Sequence, residues 1–197
     1  AMVTATPTGW KITASTTTGP ALFDSISPFV PVQPGSAAKL QIILPCETAV
    51  PGSTLNGLKG RIGSPSPATA GAPYSVAVRL TDAYYNLKTG IIMPTDNLAS
   101  SDQFDNEAGY GPANPQTLDI FTASTTFAAT LVTAGTATFT TSDGVSGYDD
   151  DTSTQVVVNP GSATKLLVLL PGETYIPGKT SGLAGRSDSG ATTQTAG

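Results

Sequence analysis

The sequence contains no histidine and a single cysteine, Cys46. The first absence removes Ser/His/Asp and Cys/His nucleophile machinery, and the two together remove the common Cys/His zinc sites and any intramolecular disulfide. Charge is also scarce: DEKR residues make up 12% of the 197, with Lys plus Arg at 9 against Asp plus Glu at 14. Cations that sparse cannot form the basic stripe that neutralises phosphates, which excludes nucleic acid as a partner. The longest apolar run, Leu166-Leu-Val-Leu-Leu170, has the length of a strand and falls far short of the roughly 18 residues of a membrane span, so no membrane insertion is expected in this segment. The opening Ala1-Met2-Val3-Thr4 carries no basic region followed by an apolar one, so a secretion signal is expected to lie outside this window or to have been removed.

What remains is a chain of turns and β-formers. About a quarter of it is Ser plus Thr, 21 Gly and 16 Pro punctuate it throughout, and 39% hydrophobic content suffices for an ordinary core. Helix formers such as Glu, Lys and Arg are scarce and β-branched Val, Ile and Thr are plentiful, which predicts pleated, half-buried surfaces and an all-β fold. A polar, Thr-rich, Lys-poor composition also points to a secreted, extracellular protein.

An internal repeat decides the organisation. Pro34-Gly-Ser-Ala-Ala-Lys-Leu40 recurs 126 residues later as Pro160-Gly-Ser-Ala-Thr-Lys-Leu166. From Pro34 to Gly52, 12 of 19 positions are identical with their copies, which fixes the register. A one-residue slip then pairs Gly57, Gly60 and Arg61 with Gly182, Gly185 and Arg186, and Thr69-Ala-Gly71 against Thr195-Ala-Gly197 restores the original spacing. Upstream, Gly9 answers Gly135, Asp24 answers Asp150, and Phe29-Val-Pro-Val32 answers Gln155-Val-Val-Val158. Residues 1–71 and 127–197 are therefore the same stretch of the repeat, and only one copy of 72–126 is present. The expected division is 1–33, the last strands of one module; 34–159, a complete module; and 160–197, the first strand and loop of the next. Such a chain is a window onto a tandem array, because half a sandwich exposes its core face and its strand edges.

Strand signals predict β-structure at 39–44 and its copy 165–170, and at 74–80, 117–121, 127–132, 136–141 and 154–158. In Tyr74-Ser-Val-Ala-Val-Arg-Leu80, Val76, Val78 and Leu80 alternate with Ser75, Ala77 and Arg79, the pattern of a strand buried on one face. About seven strands per period match an immunoglobulin-like sandwich. The Gly-, Pro- and Ser-rich segment 46–70 reads as a loop where adjacent modules meet.

These residues carry a resemblance. Val32-Gln-Pro-Gly-Ser-Ala-Ala-Lys-Leu40 at the boundary, Thr69-Ala-Gly-Ala-Pro-Tyr-Ser-Val-Ala-Val78 leading into the second strand and Asp82-Ala-Tyr-Tyr-Asn86 leaving it resemble the bacterial immunoglobulin-like (Big-type) repeat modules of very long secreted and cell-surface proteins. The resemblance implies immunoglobulin-like β-sandwich modules in tandem. It also implies a structural, non-catalytic role in an extracellular stalk or filament whose partners are copies of itself or neighbouring modules joined head to tail. Its alternative is an adhesin or carbohydrate-binding module.

Several residue groups remain as site candidates. Asp149-Asp150-Asp151, and Asp102 with Asp105 beside Asn106 and Glu107, offer the carboxylate oxygens that calcium prefers, and are read either as calcium ligands or as solvated acidic turns. No other cofactor is expected. Asp82 and Asn86 read as turn-shaping residues. Lys39 and Lys165, at equivalent places, read as edge-protecting lysines or as crosslinking ones. Tyr84, Tyr85, Tyr110 and Tyr175 are candidates for a platform against surface glycans.

Overall fold

The computed structural model describes residues 2–20, 22–53, 57, 59–144, 147–187 and 190–195. Ala196 and Gly197, which close the repeat match, and residues 54–56 and 58 of the long loop lie outside the described residues.

The chain is all-β, with a short 3-10 turn at Glu107–Gly109. In chain order the strands begin with β1 (Thr6–Trp10), β2 (Thr13–Ala14), β3 (Ser25–Ile26) and β4 (Val30–Val32). There follow β5 (Ala37–Ile43), β6 (Thr48–Ala49), β7 (Arg61–Ile62), β8 (Ala68–Thr69) and β9 (Pro73–Asp82). The second half adds β10 (Thr95–Ser100), β11 (Gln116–Thr117), β12 (Ser124–Thr130), β13 (Gly135–Ala137), β14 (Phe139–Ser142), β15 (Asp151–Thr152) and β16 (Val156–Asn159).

Residues 34–159 fit a β-sandwich. One layer is the sheet β12-β9-β5, antiparallel throughout; facing it are β11-β10-β14-β15 and β13-β16-β8. The predicted alternation in β9 is met in full: Val76, Val78 and Leu80 are completely buried, and burial on that scale contributes roughly 1.5–3 kcal/mol for each side chain. They join Leu40, Ile42 and Leu44 of the first layer with Leu98, Phe127, Phe139, Val156 and Val158 in one core. Tyr74 stacks on Phe139 with ring centroids 6.1 Å apart and hands its hydroxyl to the Ser66 carbonyl.

Three sequence-based expectations need correction. The strand expected over 117–121 stops at Thr117, because the Asp119 carboxylate accepts the amides of Phe121 and Thr122 and closes a turn that leaves Phe121 exposed. Thr95–Ser100, expected to lie in a connection, is a strand between β11 and β14. Residues 165–170, expected to repeat β5, form no strand: they have no ladder partner among the described residues.

Flanking the sandwich, residues 6–32 make two small antiparallel ladders, β1 with β4 and β2 with β3. Shifted by 126 residues these are the ladders β13 with β16 and β14 with β15, and Thr13↔Ile26 lies within one residue of the pairing Thr140↔Thr152. The far flank repeats several main-chain bonds of the central loop. Glu47 N–H donates to the Leu44 carbonyl at 3.0 Å and Glu173 N–H to that of Leu170 at 3.0 Å; Val50 donates to Gly60 as Ile176 does to Gly185; Ser66 donates to Pro45 as Thr192 does to Pro171. Local sequence is thus enough to reproduce the loop even where the strand beside it has no partner.

Candidate assembly site

The loop after β5 folds back over that strand and is fixed there by one buried ion pair. Gly60, at φ +66, makes a turn that an L side chain rarely adopts, and a Cβ there would lie 2.2 Å from the Tyr85 ring. The turn delivers Arg61, at the start of β7, beneath β5. Its Nη1 donates to the Ile42 carbonyl at 2.7 Å and to Asp151 Oδ2 at 2.5 Å, while Nη2 donates to the Thr152 carbonyl at 2.8 Å. Asp151 Oδ2 also accepts the Ile42 amide at 2.9 Å, and Oδ1 takes the Lys59 ammonium at 2.9 Å. Arg61 and Asp151 are both nearly inaccessible to solvent, at 5% and 3%. One carboxylate therefore ties together three places distant in sequence: β5, the long loop and β15. Next to it Asp149 bridges β5 through its main chain, accepting Leu40 N–H at 3.0 Å and donating to the Ala38 carbonyl at 2.9 Å.

This placement divides the first acidic group. Asp151 faces inward on the clamp and Asp150 outward, as alternation in an extended segment dictates, while Asp149 is exposed although it pairs with β5 through its main chain. The second group is consumed by the chain's own donors. Asp102 accepts the amides of Val132 and Thr133 and the Thr133 hydroxyl. Burial pushes its carboxyl up, but these bonds outweigh that and hold it below the usual carboxylate range. Asp105 accepts the hydroxyls of Ser100 and Tyr110, and there burial wins and raises it. Among the described residues no group of three or more His, Cys, Asp or Glu side chains is placed to hold a metal ion.

Asp82 and Asn86 do more than shape a turn. Asp82 Oδ1 accepts the amides of Tyr84 and Asn86, Oδ2 accepts Gly35 N–H at 2.8 Å, and Asn86 Nδ2 donates to the same carboxylate at 2.9 Å. Asn86, so held, accepts Ala5 N–H at 2.7 Å and donates to the Val3 carbonyl at 2.7 Å, gripping the N-terminal flank across more than eighty residues. The loop also meets that flank, with Gly52 packed against Thr4, and its copy behaves alike, with Gly178 packed against Thr133.

The tyrosines do not form one platform, since Tyr85 and Tyr110 are buried while Tyr84 and Tyr175 are exposed. Lys39 lies over the Tyr85 ring at 5.0 Å. Cys46 is exposed and unpaired.

The exposed apolar residues concentrate at the two flanks, and the repeat supplies their reference state. Leu40, Ile42 and Leu44 are 1%, 0% and 2% exposed; their copies Leu166, Val168 and Leu170 are 101%, 67% and 47% exposed. At the other end Val30 is 40% exposed where its copy Val156 is 0%. Trp10, Ile12, Leu22, Phe23, Ile26 and Phe29 add to the N-terminal patch. Patches of this kind on a folded chain mark interaction surfaces. No protein-family model and no curated protein matches the chain. Among the described residues no helix is long and apolar enough to cross a membrane.

Proposed function

We propose that this protein is a structural, non-catalytic segment of an extracellular stalk or filament built from tandem immunoglobulin-like modules. The observation that carries the proposal is the exchange of burial between equivalent positions: side chains fully covered in 34–159 stand in solvent in the flanking copies. A sequence that buries Leu40, Ile42 and Leu44 in one copy and repeats them as Leu166, Val168 and Leu170 specifies the same core twice, and the second core is completed by neighbouring copies.

The strand order supports an immunoglobulin-like sandwich. The sheet β12-β9-β5 corresponds to strands E, B and A of such a fold, and β10 beside β14, with β15 and β16 following, corresponds to C, F and G. The contacts of Asn86 with residues 3–5 and of the loop with both flanks support head-to-tail stacking, in which stability is a sum of module and junction terms. The extracellular assignment rests on the polar, Thr-rich, Lys-poor composition.

Electron micrographs of the native material test the reading. Rods beaded at the module spacing are expected. Isolated globules with no longitudinal repeat would overturn it.

A further inference from the structure

The C-terminal flank contains a second, unsatisfied half of the Arg61–Asp151 clamp. Arg186, the copy of Arg61, donates Nη1 to the Val168 carbonyl at 3.0 Å just as Arg61 donates to that of Ile42. Among the described residues, however, none takes the place that Asp151 holds in the central clamp. Arg186 leans instead on Glu173, at 3.5 Å, and its buried Nε has no hydrogen-bond partner. An enclosed guanidinium nitrogen without an acceptor leaves a desolvation cost uncompensated, so this place is chemically specified for an anion.

The central copy shows what kind. Asp151 satisfies the arginine and the strand amide of Ile42 with the same oxygen, while the main chain of Asp149 pairs with β5 two residues away. The opposite edge of β5 is covered by β9. We infer that residues 166–170 with Arg186 form an acceptor that takes two segments of a further copy of the repeat: a strand equivalent to Pro73–Asp82 on one edge, and on the other an acidic segment equivalent to 148–152 whose carboxylate bonds both Arg186 and the Val168 amide. The inference rests on the tandem-array reading and adds to it the residue contact that sets the register.

The occupant is the next copy in the same polypeptide, not a second folded chain. In a folded copy β9 lies between β5 and β12 with Val76, Val78 and Leu80 fully buried, and Asp151 is held by Arg61 and Lys59. Neither segment is free to be donated. The chain's own N-terminal flank also cannot serve, because the position equivalent to Asp151 is Ser25. Lys59 has no counterpart in the second copy, where Ala184 stands; the ammonium near Arg186 there is that of Lys179, which donates to the Arg186 carbonyl at 2.9 Å.

The test extends the full chain after Gly197 with a second copy of residues 72–159 and follows amide hydrogen exchange at 166–170. The extended chain is expected to slow exchange at Leu166 and Val168 by on the order of a hundredfold or more relative to the 197-residue chain. Changing the appended copy of Asp151 to Asn, or Arg186→Leu, is expected to return at least tenfold of that protection at Val168 while the central Ile42 amide is unaffected. Slowed exchange that neither substitution alters would overturn the clamp and leave the array reading standing. Unchanged exchange on extension would overturn both. Equal slowing when 72–159 is added as a separate polypeptide would overturn the assignment of the occupant to the same chain.

Discussion

Replacing Asp151 by asparagine leaves the side chain's shape and its acceptor for the Ile42 amide but removes the charge that faces Arg61. The guanidinium, 5% exposed, then stands in the protein without a counter-ion. Breaking a buried pair in this way costs about 3–5 kcal/mol, because the remaining charge has lost its water and gained nothing in return. For a folded unit of roughly this size a kilocalorie corresponds to about 3–4 °C, so Asp151→Asn is expected to lower the melting temperature by about 9–20 °C. Removing the arginine as well takes away the stranded charge. Lys59 is 44% exposed and can turn to solvent, so the double variant Arg61→Leu, Asp151→Asn is expected to be less destabilised than the two single costs combined, by roughly 2 kcal/mol or more. Urea unfolding of the four species gives the cycle directly. A cost under about 1 kcal/mol for Asp151→Asn, or simple additivity of the two changes, would refute the clamp as the tie between β5, the loop and β15.

Other perturbations reach different parts of the account. Asp96 is fully buried against Thr141, and burial, aided by Asp143 and Asp150, raises its carboxyl to about 7. Its contribution is therefore complete below the ordinary value near 4 and is lost as pH rises through 7, so wild type and Asp96→Asn should be about equally stable at pH 4. By pH 8 the variant should be ahead, by on the order of 3–4 kcal/mol in denaturant unfolding. A constant difference across that range would contradict it. Gly60→Ala places a methyl on the Tyr85 ring at a positive φ and should cost about 2–5 kcal/mol, against about 1–2 for Gly71→Ala, which carries the same backbone strain but meets no neighbour; equal costs would show that the ring contact is irrelevant. Asn86→Ala removes the grip on Val3 and Ala5 and should speed exchange of the Ala5 amide at least tenfold, with Val78 in β9 unchanged.

Much of the sandwich was legible because its strands obey simple periodicities. Val76, Val78 and Leu80 alternate with smaller or polar residues, and the repeat of Pro34 to Gly52 fixed which segments fold alike. Strand β10 was not legible: Thr-Asp-Asn-Leu-Ala-Ser offers one large apolar residue, Leu98, and buries an acid beside it. Ile120 and Phe121 misled in the opposite direction, since a carboxylate two residues before Phe121 bends into a turn what hydrophobicity alone reads as a strand. The acidic triplet looked like one ligand cluster because the sequence lists neighbours and not faces; in an extended segment Asp151 turns inward and Asp150 outward. The partner of Asp151 lies 90 residues away, beyond any local pattern. The signal that pointed to it was the retention of Arg61 as Arg186, beside Gly57 and Gly60 kept as Gly182 and Gly185.

Single-molecule pulling on the native polypeptide tests the array most directly. Modules repeating every 126 residues predict a series of similar rupture events. Each should release about 400 Å of contour, the extended length of one period less the folded module's own span. A trace with one such event and no recurrence, or with increments unrelated to that length, would contradict the account.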